Sequence, residues 1–426
     1  MLAISTDLGN EVCRRYIEEG AVCPSNLRLN LFTTAAVDNI DHNPTSTTAQ
    51  DSFHGTGISL FQQPTTENPG TTRAPIDISH AAANTKSVRE LPETYTEVAP
   101  VIVTTKNPQV SATNINIQPD ESSYNRSLKD EVRWLENSSN VICNQEGLKE
   151  KEVVSWGAFN SRDPQNSSPP TTAVLSALLP LFPDLAKSIA MIRHAMDMIK
   201  LSVNHLNPGQ VSVIAFNQPL FAVAKEIQWN WSDTYGEDKF VVMFGGLHIE
   251  MVFLKVIGGW LEGSGWTTAL ADANVASTRT ADSFTKAASV TRSRRAHQVT
   301  ACCLFLLIQK AFVKYKEGAA NEDDVMSFDS WCTQRVSAIP QFQYWYTALQ
   351  LELLLLVFLK SLRAADFHLY VDALSKMLPW FFAMNHSNYA RWLPVHLRDM
   401  RALDQMVPDV ASEFKKGLFT VNKTPK

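Results

Sequence analysis

Cysteine is scarce and scattered in this chain of 426 residues: six occur, at positions 13, 23, 143, 302, 303 and 332. None stands in CxxC spacing, so no disulfide framework is encoded, and the adjacent Cys302 and Cys303, inside an apolar helix-like run, suit a reducing compartment. The glycine patterns of phosphate-binding and dinucleotide-binding loops are missing, as is a Gly-x-Ser-x-Gly nucleophile elbow. Hydrolase, kinase and dehydrogenase readings therefore have no foothold. The N-terminus, Met1 to Asp7, lacks a basic leader and a long apolar run, which argues against a secretory signal. Two apolar runs, Ala301 to Val313 and Leu349 to Leu362, fall short of the roughly 20 residues that span a bilayer. The second is also interrupted by Glu352 and closed by Lys360 and Arg363. Both read as buried core helices, with no membrane partner and an intracellular location in nucleus or cytoplasm. Positive charge is not in excess either. A formal net charge of -5 excludes a whole-surface attraction to nucleic acid, so any such binding needs a local basic patch.

What the chain does have is an apolar fraction of 45% with 19% charged residues, a globular composition long enough for two or three domains. The stretch from Val211 to Trp266 is the densest in structural signals. Val211 to Phe216 is a short β-branched and apolar run bounded by Asn-Pro-Gly and Asn-Gln-Pro, which predicts a buried strand. A helix is predicted over Leu220 to Trp229, a second strand over Phe240 to Phe244, and a helix after Gly245-Gly246. Strand, helix, strand, helix is the rhythm of an α/β sheet. Polar residues just past the strand ends, here Asn217, His248 and Glu250, are where a site is expected.

Upstream, residues 6 to 20 have helical spacing. Asn30 to Val37 is a β-prone run ending at Asp38-Asn-Ile-Asp-His-Asn-Pro44, and Gly57 to Gln62 is a second, so the two are expected to pair as a hairpin with a long connection. The organisation predicted is α/β: a mixed-sheet core, a long polar insertion and a mostly helical C-terminal block. Its segments are first core strands over 1–62, a polar and partly disordered insertion over 63–172, the remaining core over 173–266 and the helical block over 267–426. Ala173 to Ala195 reads as helix broken by Pro180 and Pro183. No fixed-period repeat is visible.

Each polar constellation has a chemical and a plainer reading. Asp38 and Asp41 at a strand end can supply oxygen ligands to Mg²⁺ or Mn²⁺, or can be ordinary Asx turn residues. His248 and Glu250 can bind a metal or move a proton. Alternatively, His248 hydrogen-bonds within the strand-to-helix turn and Glu250 sits in the first helical turn, favoured by the dipole. The one strongly basic knot, with Arg292, Arg294 and Arg295, can contact phosphate or can pair with nearby acids. The late aromatics, Trp331, Tyr344, Trp345, Tyr346, Trp380, Tyr389 and Trp392, fit core positions better than a base-stacking platform.

Phe32 to Pro44, Phe244 to Met251, Gly263 to Trp266, Val290 to His297 and Asn388 to Met400 resemble a large, multicopy family of uncharacterised animal proteins of transposon origin. More distantly, the chain is similar to transposases with an RNase H-like catalytic core. That resemblance implies an acidic triad holding two divalent metals: an Asp on the first strand, an acid after a later strand, and a Glu or Asp on a C-terminal helix. Asp38 matches the first position, with Asp41 as its understudy. The second position falls at Asn217, where the resemblance implies Asp; an amide is a neutral and weaker ligand. The third is implied downstream of the segment matching Phe414 to Thr424, and the sequence ends at Lys426. The expectation is a truncated, catalytically inactive transposase-like protein with residual DNA binding. Its rivals are an active metal-dependent nuclease, using Asp38, Asp41, His248 and Glu250, and a structural or interaction module docking through its helical block.

Overall fold

The computed structural model describes residues 2–42, 53–78, 87–102, 121–143, 155–161, 173–319 and 325–421. In chain order the elements are α1 (Leu2–Glu19), β1 (Thr33–His42), β2 (Phe53–Gln62), α2 (Glu93–Thr96), α3 (Glu121–Cys143), α4 (Trp156–Ser161), β3 (Leu175–Leu178) and α5 (Ile189–Leu206). There follow β4 (Ser212–Phe216), α6 (Gln218–Asn230), α7 (Ser232–Tyr235), β5 (Phe240–Phe244), α8 (Gly246–Trp260), α9 (Trp266–Asp272) and α10 (Thr278–Thr285). The last are α11 (Val290–Glu317), α12 (Phe328–Ala338), α13 (Pro340–Arg363), α14 (Phe367–Ala383), α15 (Ser387–Met406) and α16 (Pro408–Lys415). Two compact units divide them. The first comprises Met1–Asn116, Ser168–Gly245 and Arg398–Lys426, and the second Ile117–Ser167 and Gly246–Leu397.

The first unit is α/β. Its five-stranded mixed sheet has the order β3-β2-β1-β4-β5, so β1 is the central strand. β1 runs antiparallel to β2 from Thr33 opposite Gln62 to His42 opposite Phe53, and β2 runs antiparallel to β3. β4 is parallel to β1, with Val37 opposite Phe216, and β5 is parallel to β4. Burial alternates along β1, where Thr33, Ala35 and Val37 are buried and Thr34 and Ala36 are half-buried. β5 is buried along its whole length, as a strand covered on both faces must be. The hairpin of β1 and β2 pairs as expected, and β4 and β5 fall on the runs read as strands.

Two local expectations are corrected. β1 does not end at Val37 but continues through Asp38 and Asp41 to His42, because each of those residues has a ladder partner on β2. The turn-prone composition of Asp-Asn-Ile-Asp is overridden by pairing. Likewise Leu175–Leu178 is strand β3 rather than helix, since it completes the edge of β2. Helix begins only at α5, where the Ser188 hydroxyl accepts from the Met191 N–H at 3.0 Å.

The second unit is helical, and its larger segment runs from α8, directly after Gly245, to Leu397. It also takes in α3 and α4 from the segment read as an insertion; Leu135 of α3 and Trp156 of α4 are buried in it. Residues 79–86, 103–120, 144–154 and 162–172 of that segment lie outside the described residues. α13 is the central helix, with Leu355, Leu356, Val357 and Phe358 at 1% exposure or less and neighbours α3, α8, α11, α12 and α14. The charges that interrupt it have partners: Glu352 meets His297 at 2.9 Å and Lys360 meets Asp130 at 2.9 Å. α8 crosses α10 so closely that a Cβ at Gly258 would lie 2.2 Å from the Thr285 carbonyl oxygen, so only glycine fits. By length and composition α11 and α13 are each able to cross a membrane; 72% of the apolar window of α13 is buried within the protein and 39% of that of α11.

Candidate functional site

The end of the parallel ladder between β1 and β4 is where the sheet brings two of the expected residues together. Val37 and Phe216 are the last registered pair of the parallel ladder, and Asp38 and Asn217 are the next residues on their strands. In a parallel pair such neighbours share a face. Asn217 is also the N-cap of α6: its Oδ1 accepts from the Leu220 N–H at 3.2 Å, with Pro219 in the first turn. The acceptor side of the amide is thus used by the helix, which turns Nδ2 toward β1. Nδ2 donates to Asp38 Oδ1 at 2.7 Å and approaches Asn39 Oδ1 at 3.4 Å. The Asn39 N–H donates to the same Asp38 oxygen at 2.9 Å. Asp38 Oδ1 therefore accepts two hydrogen bonds beside the N-terminus of α6.

This arrangement does not fit a bridging divalent cation. A hard cation needs oxygen ligands, whereas Asn217 presents N–H to Asp38 and its oxygen is engaged by Leu220. Asp41 lies three positions beyond Asp38 on an unbroken ladder, opposite His54, and that odd separation assigns the two positions to opposite faces of the sheet. The side chain of Asp41 lies outside the described residues. Among the described residues, no three His, Cys, Asp or Glu side chains cluster to hold a metal.

His248 and Glu250 lie in the second unit, on α8. Two positions apart on a helix, they do not face one another. Glu250 is 2% exposed and receives both Nε and Nη2 of Arg294, each at 2.7 Å. This bidentate pair uses both carboxylate oxygens. The backbone carbonyl of His248 accepts from the Tyr389 hydroxyl at 3.2 Å. Of the three arginines, Arg294 is committed to Glu250, which is the plainer of its two readings, while Arg292 and Arg295 are exposed on the first turns of α11. Of the late aromatics Trp331 is buried against Phe312, Tyr315, Phe328 and Phe342, and the other six are half-buried, with Tyr344 stacked on Trp260 at 5.3 Å.

One cluster of the first unit was not anticipated. Lys225 of α6 is 1% exposed, and its ammonium meets Gln228 at 2.7 Å, Glu237 at 2.5 Å and Asp399 at 2.9 Å. Arg398 adds a second cation to both acids. Burial raises the Asp399 carboxyl despite Lys225; for Glu237 burial is outweighed by Lys225, Trp229 and Arg398, and its pKa is lowered. The signal was present in the sequence, since Lys225 shares the helical stripe of Phe221, Ala224 and Gln228.

A family model described as "Domain of unknown function (DUF8702)" matches residues 155–330 and 314–426, together more than half of the chain. The chain belongs to this family. The DUF8702 match takes in Asn217, His248, Glu250 and the three arginines, and begins after Asp38 and Asp41. No curated protein and no solved structure matches the chain.

Proposed function

We propose that this DUF8702 chain is a transposase-like protein on an RNase H-like core that has exchanged metal chemistry for nucleic-acid binding. The observation that carries the reading is the 2.7 Å hydrogen bond from Asn217 to Asp38. A core of that kind takes one acid from its first strand and another from the end of a later strand. The sheet order supports the assignment, because β1 is central and the end of β4 lies beside Asp38. An amide at 217 meets Asp38 by donating a hydrogen bond, so the pair is joined as a neutral donor and a carboxylate acceptor.

The DNA side of the proposal rests on Arg292 and Arg295, exposed on one end of α11. Arg294 supports them indirectly by anchoring that turn to Glu250. The test is fluorescence anisotropy of a labelled DNA duplex over a range of salt concentrations, with a parallel cleavage assay in Mg²⁺ and Mn²⁺. The proposal expects salt-dependent binding without cleavage, and a salt slope reduced by about 2 in the Arg292→Ala/Arg295→Ala variant. Metal-dependent cleavage by the natural chain, or binding unchanged in that variant, overturns it.

A further inference from the structure

The second unit contains a cavity of about 600 Å³ between α9, α11 and the start of α13, lined by Trp266, Leu304, Leu307, Ala311, Phe342 and Trp345 among others. We infer that it binds an uncharged, ring-containing apolar small molecule. Nothing in the proposed DNA-binding role uses this cavity.

Three observations define the ligand. Among the described residues no Asp, Glu, Lys, Arg or His side chain lines the wall, whose few polar groups are hydroxyl, thiol, amide and indole N–H, so a charged ligand would enter without a counter-charge and lose its hydration. Two indoles and a phenyl ring face the space, which favours a ring that stacks or meets them edge-on. The volume lies inside the range of small-molecule sites, about 300 to 1,000 Å³. A compact small molecule fits it.

The walls are braced from behind, so the space is preformed. Trp266 is 5% exposed, its indole N–H donates to Thr300 Oγ1 at 2.8 Å, and its ring stacks on His297 at 5.0 Å. His297 is in turn held by Glu352. Phe342 is set edge-on against Trp331 at 5.5 Å and stacked on Tyr346 at 5.9 Å. At the rim, Leu307 is 62% exposed and Val275 43%, apolar surface that a bound ligand would cover.

The full chain is titrated with N-phenyl-1-naphthylamine, an uncharged two-ring fluorophore, and with its sulfonated relative 1-anilinonaphthalene-8-sulfonate. The proposal expects saturable binding of one uncharged probe per chain and affinity for the sulfonate weaker by about tenfold or more. Ala311→Phe, which fills the space from an exposed position, is expected to weaken the uncharged probe by about tenfold or more, and so is Leu307→Gln at the exposed rim. Having two such variants keeps the test valid if one misfolds. Absence of saturable binding, unchanged affinity in both folded variants, or preference for the sulfonate overturns the proposal. So does self-association that Leu307→Gln abolishes, which would assign this face to a second copy of the chain.

Discussion

Asn217 and Asp38 lie 179 residues apart in the sequence and are joined by a 2.7 Å hydrogen bond just past the end of the parallel β1–β4 ladder. The amide does two jobs, capping α6 with its oxygen and meeting the carboxylate with its nitrogen. Asn217→Ala loses both and is expected to cost about 2 kcal/mol in urea unfolding. Asn217→Asp keeps the cap but sets two carboxylates against each other, so without metal it is expected to be destabilised by about 1 to 2 kcal/mol. A variant as stable as the natural chain would contradict this geometry.

Arg294 and Glu250 provide a contrast between a structural and a surface arginine. Removing Arg294 leaves a carboxylate 3% exposed with its bidentate partner gone, so Arg294→Ala is expected to cost about 3 kcal/mol. Pairing it with Glu250→Gln should restore much of that loss. Arg295→Ala, at an exposed position, should change stability by less than about 0.5 kcal/mol. Thermal melts of the four proteins check the pattern, and equal losses in the two arginine variants would contradict it.

Glu131 makes the stability of the helical unit depend on pH. It is fully buried and accepts from the Trp156 indole at 2.5 Å, and burial pushes its carboxyl up to about 7 from 4.5 despite Trp156 and Lys360. The folded state therefore holds a proton that the unfolded state releases. Folding is favoured at low pH, and that advantage is lost as pH rises from about 4.5 to about 7, by about 3 kcal/mol. Glu131→Gln should flatten that window in urea unfolding; an unchanged pH slope would contradict the assignment.

Lys225 neutralises Glu237 and Asp399 from inside the first unit. Lys225→Ala leaves two half-buried acids sharing Arg398 and is expected to cost about 2 kcal/mol. Lys225→Arg tests whether charge alone suffices. Recovery below about half the loss is expected, because three acceptors converge on one ammonium, a point-charge geometry that a planar fork does not reproduce. Melting temperatures of the two variants decide it.

Much of the fold is legible in the sequence where local pattern and tertiary context agree. Phe240–Phe244 is apolar throughout and bounded by turn residues, and the helices from α8 onward keep helical spacing. Legibility fails where pairing decides. Asp38 to His42 has turn composition but is held extended by β2, and Leu175–Leu178 is fair helix sequence captured as an edge strand. For the site, the cap at Asn217 can be read from Asn-x-Pro before an apolar run, whereas its bond to Asp38 depends on strand order. Glu250 with Arg294 and Lys225 with Asp399 are non-local pairs, 44 and 174 residues apart, which no local spacing rule can join.

The central claim, that an amide at 217 has replaced a metal ligand facing Asp38, is tested most directly by Mn²⁺ titration followed through the EPR signal of the free ion. The natural chain, Asn217→Asp, and Asn217→Asp combined with Asp38→Asn are compared. The account predicts a Mn²⁺ site that appears in Asn217→Asp and disappears again when Asp38 is also removed. Mn²⁺ binding by the natural chain that Asp38→Asn abolishes, or no gain in Asn217→Asp while it stays folded, would contradict it.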